Sequence, residues 1–184
     1  MIKNTRRSSV LVVLVTSLFA APAFAHGKST FMTTLSGYNE TPATLNSPGN
    51  GSFVAKISKD ESSISYTLTY TDLPTNVLQA HIHFGRPALS GGVALFLCTN
   101  LTPPAGVPTP PLCPTNAGTV SGVLTAADVI ALPNQGIEAA ANGFAEMINA
   151  LRNGAAYANV HTTQRPSGEI RGPLGKESDD EDDD

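Results

Sequence analysis

The stretch Ser63-Ile-Ser-Tyr-Thr-Leu-Thr-Tyr70 decides the fold class, because apolar and hydroxyl-bearing side chains alternate along it without a break. Successive side chains of a β-strand point to opposite faces, so one face of this strand is apolar and the other carries only serine and threonine. The pattern is typical of an antiparallel sheet with one face packed on a core and the other in water.

Weaker strand patterns lie on both sides of this stretch, separated by turns rich in Gly, Pro, Asn and Asp. We predict further strands over 31–38, 53–58, 77–84, 93–98, 118–124, 156–162 and 168–172. The run 93–98 is wholly apolar, which favours a central position in the sheet. About eight short strands predict an all-β fold, an antiparallel β-sandwich or barrel.

Two short helical insertions interrupt the strands. Thr125 is a predicted N-cap for a short helical turn that Pro133 ends. A second set of residues has the spacing i, i+3, i+4, i+7 of an amphipathic helix that lies on the sheet: Phe144, Met147, Ile148 and Leu151. Asn153-Gly154 supplies the stop signal of this helix.

Residues 1–25 have the parts of a secretory signal peptide. Basic residues precede an apolar run over 10–20, and Ala23-Phe24-Ala25 is a cleavage signature. We predict Sec-type export with cleavage after Ala25, and therefore a secreted or periplasmic protein. A twin-arginine signal is the alternative, although Ser9 stands where that motif has a large apolar residue. No later segment is apolar enough to span a membrane.

Cleavage leaves a predicted domain over 26–176 and an acidic tail over 177–184. The domain carries eight Lys and Arg and eight Asp and Glu, whereas the tail holds seven acidic residues. Like charges repel, so we predict a disordered tail that aids solubility, with weak contact to divalent cations or to a cationic surface as the alternative. A neutral domain lacks the clustered cations that nucleic-acid binding needs, so nucleic acid is excluded as a partner.

The two cysteines, Cys98 and Cys113, predict one disulfide in an exported protein. It would close a loop over 99–112 that contains five prolines. Metal binding by the cysteines is the alternative, which their wide spacing disfavours.

Three of the four histidines lie in predicted strands. His81 and His83 share one strand face, opposite the apolar Ala80 and Ile82, and His161 lies in a later strand. Imidazole is the commonest protein ligand of transition metals, and three converging imidazoles would suit copper or zinc. The competing interpretation is three hydrogen-bonded or partly exposed histidines on a polar sheet face. The metal site requires His161 to lie on a strand close to the other two.

The remaining polar residues give weaker evidence for a catalytic or metal-binding role. Glu40, Glu169 and Arg171 include paired carboxylates that can do acid–base work. However, Glu169 and Arg171 share a strand face and predict an ion-pair ladder, and a Glu40–Arg171 pair would specify how the first and last strands meet. His26 becomes the N-terminal residue after cleavage and can chelate copper with its amine. No catalytic residue is predicted, because no nucleophile or phosphate-binding motif is present.

Four segments taken together resemble the CHRD domain, which is named after chordin and occurs in many secreted bacterial proteins: 35–42, 80–85, 153–162 and 167–172. They follow the family's order across residues 30–174, and the loop between the cysteines is an insertion. The resemblance implies an extracellular, Ig-like β domain without an assigned activity. It also implies a structural motif that comprises Glu40, Tyr157, Asn159, Glu169 and Arg171.

A second similarity is to the copper/zinc superoxide dismutase pattern on a Greek-key β-barrel. In it, His81, His83 and His161 match three copper ligands, but nothing matches the bridging histidine, the zinc ligands or the disulfide partner beside the arginine. The leading functional prediction is therefore a non-catalytic binding or structural module for a protein, matrix or cell-surface ligand. The alternative is a copper- or zinc-binding protein, redox-active or not, that uses the three histidines.

Overall fold

The computed structural model describes residues 27–103 and 105–175. The predicted signal peptide, His26 and the predicted acidic tail lie outside the described residues. Within the described ranges, no helix has both the length and the apolar character needed to cross a membrane.

Eight antiparallel strands form one sheet with the order β5-β4-β7-β8-β1-β2-β3-β6. The strands are β1 (Thr30–Ser36), β2 (Asn50–Ile57), β3 (Ser63–Thr71), β4 (Val77–Phe84), β5 (Gly92–Thr99), β6 (Gly118–Thr125), β7 (Ala156–Thr162) and β8 (Ile170–Leu174). The two end strands, β5 and β6, approach each other, so the sheet is a nearly closed barrel. Of the sandwich and the barrel, the chain therefore adopts the barrel.

Strand β3 has the alternation that its sequence predicts. Its apolar side chains are buried in the barrel: Ile64, Tyr66, Leu68 and Tyr70. Its outward hydroxyl groups pair across to β6, where Thr67 and Ser121 lie 3.0 Å apart at their oxygens and Thr69 and Thr119 lie 2.9 Å apart. Each fully buried Leu or Ile side chain stabilises the fold by roughly 1.5–3 kcal/mol.

The prediction of a central position for residues 93–98 is wrong, because β5 is an end strand of the sheet. Other elements cover its free edge instead: Ile130 N donates to Ala94 O (2.9 Å) and Tyr66 Oη donates to Leu97 O (2.6 Å). The strand is apolar because the helical segments and the opposite barrel wall bury it, and not because strands flank it on both sides.

The two helical predictions are confirmed. Helix α1 (Ala140–Arg152) buries the predicted apolar stripe: Phe144, Met147, Ile148 and Leu151. The shorter insertion is a 3-10 helix, Ala126–Asp128, whose N-cap Thr125 accepts a hydrogen bond from Ala127 N at 3.3 Å. Pro133 begins a second 3-10 helix, Pro133–Gln135.

A disulfide joins Cys98 to Cys113, as the cysteine count predicts. Asn100 holds the same loop without a covalent bond. Its Nδ2 donates to Val77 O (2.9 Å) and Cys113 O (3.1 Å), and its Oδ1 accepts from Cys113 N (3.1 Å). The loop is therefore tied to the barrel by two independent means.

We expect the double variant Cys98→Ala, Cys113→Ala to lower the free energy of unfolding by about 2 kcal/mol. Closing a loop of 15 residues gives roughly 3 kcal/mol in the chain-entropy model, and the prolines and Asn100 reduce that gain. Urea denaturation of the wild type and the variant measures the difference. A variant as stable as the wild type would show that Asn100 and the prolines hold the loop by themselves.

Candidate metal centre

The barrel order brings the three histidines together. Strands β4 and β7 are antiparallel neighbours, with His81 opposite Asn159 and His83 opposite Tyr157. One ring nitrogen from each of His81, His83 and His161 lies within 4.8 Å of the others. The closest pair is His81 Nδ1 and His161 Nε2, at 3.1 Å. The geometric condition that the metal hypothesis requires is therefore met.

The imidazoles are buried and hydrogen-bonded, so of the competing interpretation the hydrogen-bonded form fits the structure and the partly exposed form does not. His81, His83 and His161 are 1%, 6% and 5% exposed. Backbone groups of two connections reach them: His83 Nδ1 lies 3.0 Å from Gly91 O, and His161 Nδ1 lies 3.0 Å from Pro166 O. Strand β4 is thus covered on both faces, by the barrel core on one and by chain connections on the other.

These two carbonyls determine where two imidazoles carry their protons. A carbonyl oxygen only accepts hydrogen bonds, so Nδ1 of His83 and Nδ1 of His161 are the protonated nitrogens. Their Nε2 atoms then carry the lone pairs. His161 Nε2 therefore accepts a hydrogen bond from His81 Nδ1, and the Nε2 atoms of His81 and His83 have no hydrogen-bond partner among the described residues. Metal-binding histidines are commonly oriented in this way, by a hydrogen bond from the nitrogen that does not bind the metal.

Burial keeps all three imidazoles neutral. It lowers the pKa of His81 to about 2, with the neighbouring imidazoles adding to the effect. It also lowers the pKa of His83 and of His161 to about 4, although the carbonyl bonds act in the opposite direction. Neutral imidazole is the form that binds metals, so at pH 7 none of the three rings has to lose the second proton of an imidazolium before it can bind one.

Tyr157 positions His83 in two ways. The two rings stack with centroids 4.6 Å apart and planes 6° apart. The Tyr157 hydroxyl accepts a hydrogen bond from Gly91 N (3.0 Å), and the carbonyl of the same glycine holds His83. On the β8 side, the Arg171 guanidinium carbon lies 3.4 Å from the centroid of the Tyr157 ring.

Arg171 is a buried connector of loops. It is 1% exposed; its Nη1 donates to Thr41 Oγ1 (2.6 Å), and its Nη2 donates to Leu89 O (2.7 Å) and Arg86 O (3.1 Å). The guanidinium therefore joins the connection after β1 to the connection between β4 and β5. Both connections cover the face of the sheet that carries the three histidines.

The predicted ion pairs of Arg171 do not form within the described residues. Glu169 instead accepts hydrogen bonds from the hydroxyl groups of Ser47 and Thr162. The expected ladder assumed that residues two apart on one strand face pair with each other, but Glu169 lies just before β8 begins. Glu40 also makes no direct ion pair with Arg171, although the charge of Arg171 acts on its pKa.

Glu40 lies beside Asn159 in the buried region next to the imidazoles. It is 6% exposed, and its Oε2 accepts from Asn159 Nδ2 at 3.4 Å. Burial raises the pKa of Glu40 to about 7, against the opposing effects of the Arg171 charge and the hydrogen bonds from Asn159 and Thr41. Glu40 Oε1 and Asn159 Oδ1 have no hydrogen-bond partner among the described residues.

Sequence reasoning missed the groups that orient the imidazoles. The carbonyls of Gly91 and Pro166 leave no trace in residue type, because every residue has a carbonyl. Phe96, whose ring lies edge-on to His81 with centroids 4.3 Å apart, was one apolar residue in an apolar strand. Only the alternation along β5 could have suggested that its side chain faces the histidines.

The domain is a nearly closed antiparallel β-barrel with one disulfide. Three buried histidines lie together on the outer face of its sheet. The family model of the CHRD domain matches residues 31–174, and the chain therefore belongs to the CHRD domain family. No curated protein and no solved structure matches the chain significantly.

Proposed function

We propose that this CHRD domain is an exported metal-binding protein that holds one copper or zinc ion with His81, His83 and His161. The convergence of three neutral, buried imidazoles supports the proposal. A buried polar atom without a partner costs roughly 1–3 kcal/mol, and a metal ion would remove that cost at His83 Nε2.

The donor set favours copper over zinc. Three imidazoles with an open position suit either ion, and nitrogen sites generally bind Cu(II) more tightly than Zn(II). The thiols that would favour zinc are absent, because the two cysteines are joined as a disulfide. When bound, copper would supply one-electron chemistry, and zinc would supply Lewis acidity alone.

We expect His83→Ala to weaken the binding of Cu(II) by at least about 100-fold, since loss of even an outer-shell partner costs 10–100-fold. Isothermal titration of the mature protein measures the affinity, and circular dichroism checks the fold of the variant. The variant His26→Ala is the control for chelation by the N-terminus and should bind copper as the wild type does. Equal affinities of the wild type and His83→Ala would contradict the proposal.

Export is part of the proposed function. We infer that residues 1–25 are removed, that 26–176 form the domain and that 177–184 form a solvated tail. The disulfide supports export, because disulfides persist in oxidising compartments. The mass of the protein recovered outside the cytoplasm should correspond to a chain that begins at His26, and a mass that includes residues 1–25 would refute this inference.

The disulfide-bonded loop supports a second candidate function, contact with a protein, matrix or cell-surface ligand. Leu101 and Leu112 are 47% and 77% exposed on this constrained loop. Exposed apolar side chains on a loop held by a rigid scaffold are typical of contact surfaces. Elemental analysis of natively purified protein distinguishes the two functions. Stoichiometric metal in the wild type but not in His81→Ala favours the metal-binding function.

A further inference from the structure

Four buried side-chain atoms have no hydrogen-bond partner among the described residues, and they lie in one region: Glu40 Oε1, His81 Nε2, His83 Nε2 and Asn159 Oδ1. Asn159 lies directly opposite His81 in the β4–β7 ladder, and side chains of such pairs share a face with Cβ atoms about 5 Å apart. Glu40 in turn contacts Asn159 at 3.4 Å. The candidate metal centre thus continues into a second polar region, which we call the Glu40–Asn159 recess.

Gly168 allows this recess to form. A Cβ at this position would lie 2.8 Å from Asn159 Nδ2 and 2.8 Å from both carboxylate oxygens of Glu40. Its φ of +135° also lies in the region that favours glycine. The carboxyl and amide groups can therefore meet only because residue 168 has no side chain.

Arg171 contributes charge near the recess, but the hydrogen bonds of its Nη atoms point elsewhere. Both Nη atoms donate outside the recess, to Thr41, Arg86 and Leu89. One N–H of the Asn159 amide donates to Glu40 Oε2. The atoms of the recess that remain without partners are oxygens, Glu40 Oε1 and Asn159 Oδ1.

The two oxygens without hydrogen-bond partners determine which small ligand the recess can bind. An ionised carboxylate and an amide oxygen only accept hydrogen bonds. A ligand that donates hydrogen bonds, such as water, an alcohol or an amine, can pair with both oxygens. An anion brings negative charge against the Glu40 carboxylate and further acceptors against both oxygens, and an oxygen acceptor cannot donate a hydrogen bond to it.

We propose that the Glu40–Asn159 recess selects the additional ligand of the metal centre, accepting a neutral hydrogen-bond donor such as water and excluding small anions. This inference rests on the proposed metal-binding function. It makes Glu40 and Asn159 specificity-determining residues and not metal ligands. It also differs from a site built to attract an anion, because the Nη hydrogen bonds of Arg171 go to loop oxygens outside the recess.

The test uses azide as the anionic probe and the Cu(II)-loaded mature protein at pH 8.5. We expect weak azide binding by the wild type, measured by the azide-to-copper charge-transfer absorption. Glu40→Gln keeps the shape of the side chain but replaces a negative acceptor by an amide that can donate, so azide affinity should rise about tenfold or more. Asn159→Asp adds a second carboxylate and should lower azide affinity below that of the wild type.

The matched control is Glu138→Gln. Glu138 is an exposed carboxylate that accepts a hydrogen bond from Asn142, so the control removes the same charge without touching the recess. Pulsed electron paramagnetic resonance in D2O should detect the deuterons of a metal-bound water in the wild type, and azide should displace them at lower concentration in Glu40→Gln.

Equal azide affinities of wild type, Glu40→Gln and Asn159→Asp would overturn the inference and leave the metal-binding proposal intact. Tight azide binding by the wild type would overturn it as well. Failure of the wild type to retain copper would refute the proposed function itself, which is a separate result.

Discussion

The metal-free protein should lose at least about 3 kcal/mol of its free energy of unfolding as the pH falls from 6.5 to 4.5. Burial lowers the pKa of His81 to about 2 and that of His83 and His161 to about 4. Between the unfolded pKa of 6.5 and these values, the unfolded chain binds protons that the folded chain does not. The stability is therefore complete above pH 6.5 and is lost as the pH falls, by up to about 1.4 kcal/mol per group and pH unit.

Glu40 acts in the opposite direction but does not decide the outcome. Burial raises its pKa from 4.5 to about 7, so the folded state binds a proton more tightly than the unfolded state does. Its contribution is present below pH 4.5 and declines as the pH rises to about 7. Three imidazoles oppose this one carboxyl group, so the net stability falls on acidification.

Urea denaturation of the metal-free protein at pH 7.5, 6.5, 5.5 and 4.5 measures the effect. His83→Gln removes one of the three groups and should give a shallower dependence on pH. Saturating Cu(II) or Zn(II) should move the loss of stability to lower pH, because a bound metal must be displaced before the imidazoles take up protons. A free energy of unfolding that is unchanged between pH 6.5 and 4.5 would contradict the buried, neutral state of the histidines.

The variant Arg171→Met should lower the free energy of unfolding by about 3–5 kcal/mol, the usual cost of breaking a buried charged network. The methionine fills part of the volume but donates no hydrogen bonds to Thr41, Arg86 and Leu89. Glu40 also loses the positive charge that favours its ionised form. For a domain of this size the melting temperature should fall by roughly 10 °C.

Arg152→Met is the matched control. Arg152 makes an ion pair with Glu61 at 2.6 Å, but both side chains are partly exposed, at 21% and 39%. Partly exposed pairs contribute about 0–1 kcal/mol, so this variant should remain nearly as stable as the wild type. Arg171→Lys keeps the charge but not the forked geometry and should lie between the two. A cost below about 1 kcal/mol for Arg171→Met would show that the loops do not depend on the guanidinium.

Most of the secondary structure could be predicted because it depends on local periodicity. The alternation over 63–70 and the helical spacing of Phe144 and Leu151 appear in the structure as buried faces. The position of 93–98 could not be predicted in this way. An apolar strand can be buried by neighbouring strands or by covering elements, and its sequence is the same in both cases.

The candidate site was predictable only in its ligands. His81 and His83 share a face because they are two residues apart, which is a property of any strand. Their pairing with His161 depends on the β4–β7 contact, which joins segments about 80 residues apart in the chain. The partners of Arg171 and the contact of Glu40 with Asn159 also join distant segments. The predicted Glu169–Arg171 ladder failed because Glu169 lies before β8 and accepts hydrogen bonds from Ser47 and Thr162 instead.

Strand periodicity and residue type alone determined that this chain forms an antiparallel β domain with one disulfide and two histidines on a common face. The tertiary structure decided that the sheet closes into a barrel, that β4 lies beside β7, and that the face with the histidines is buried. The physical reason is that a strand pattern records only which side chains point the same way. Burial, which neutralises the imidazoles and leaves Glu40 Oε1 without a partner, depends on connections that fold over that face.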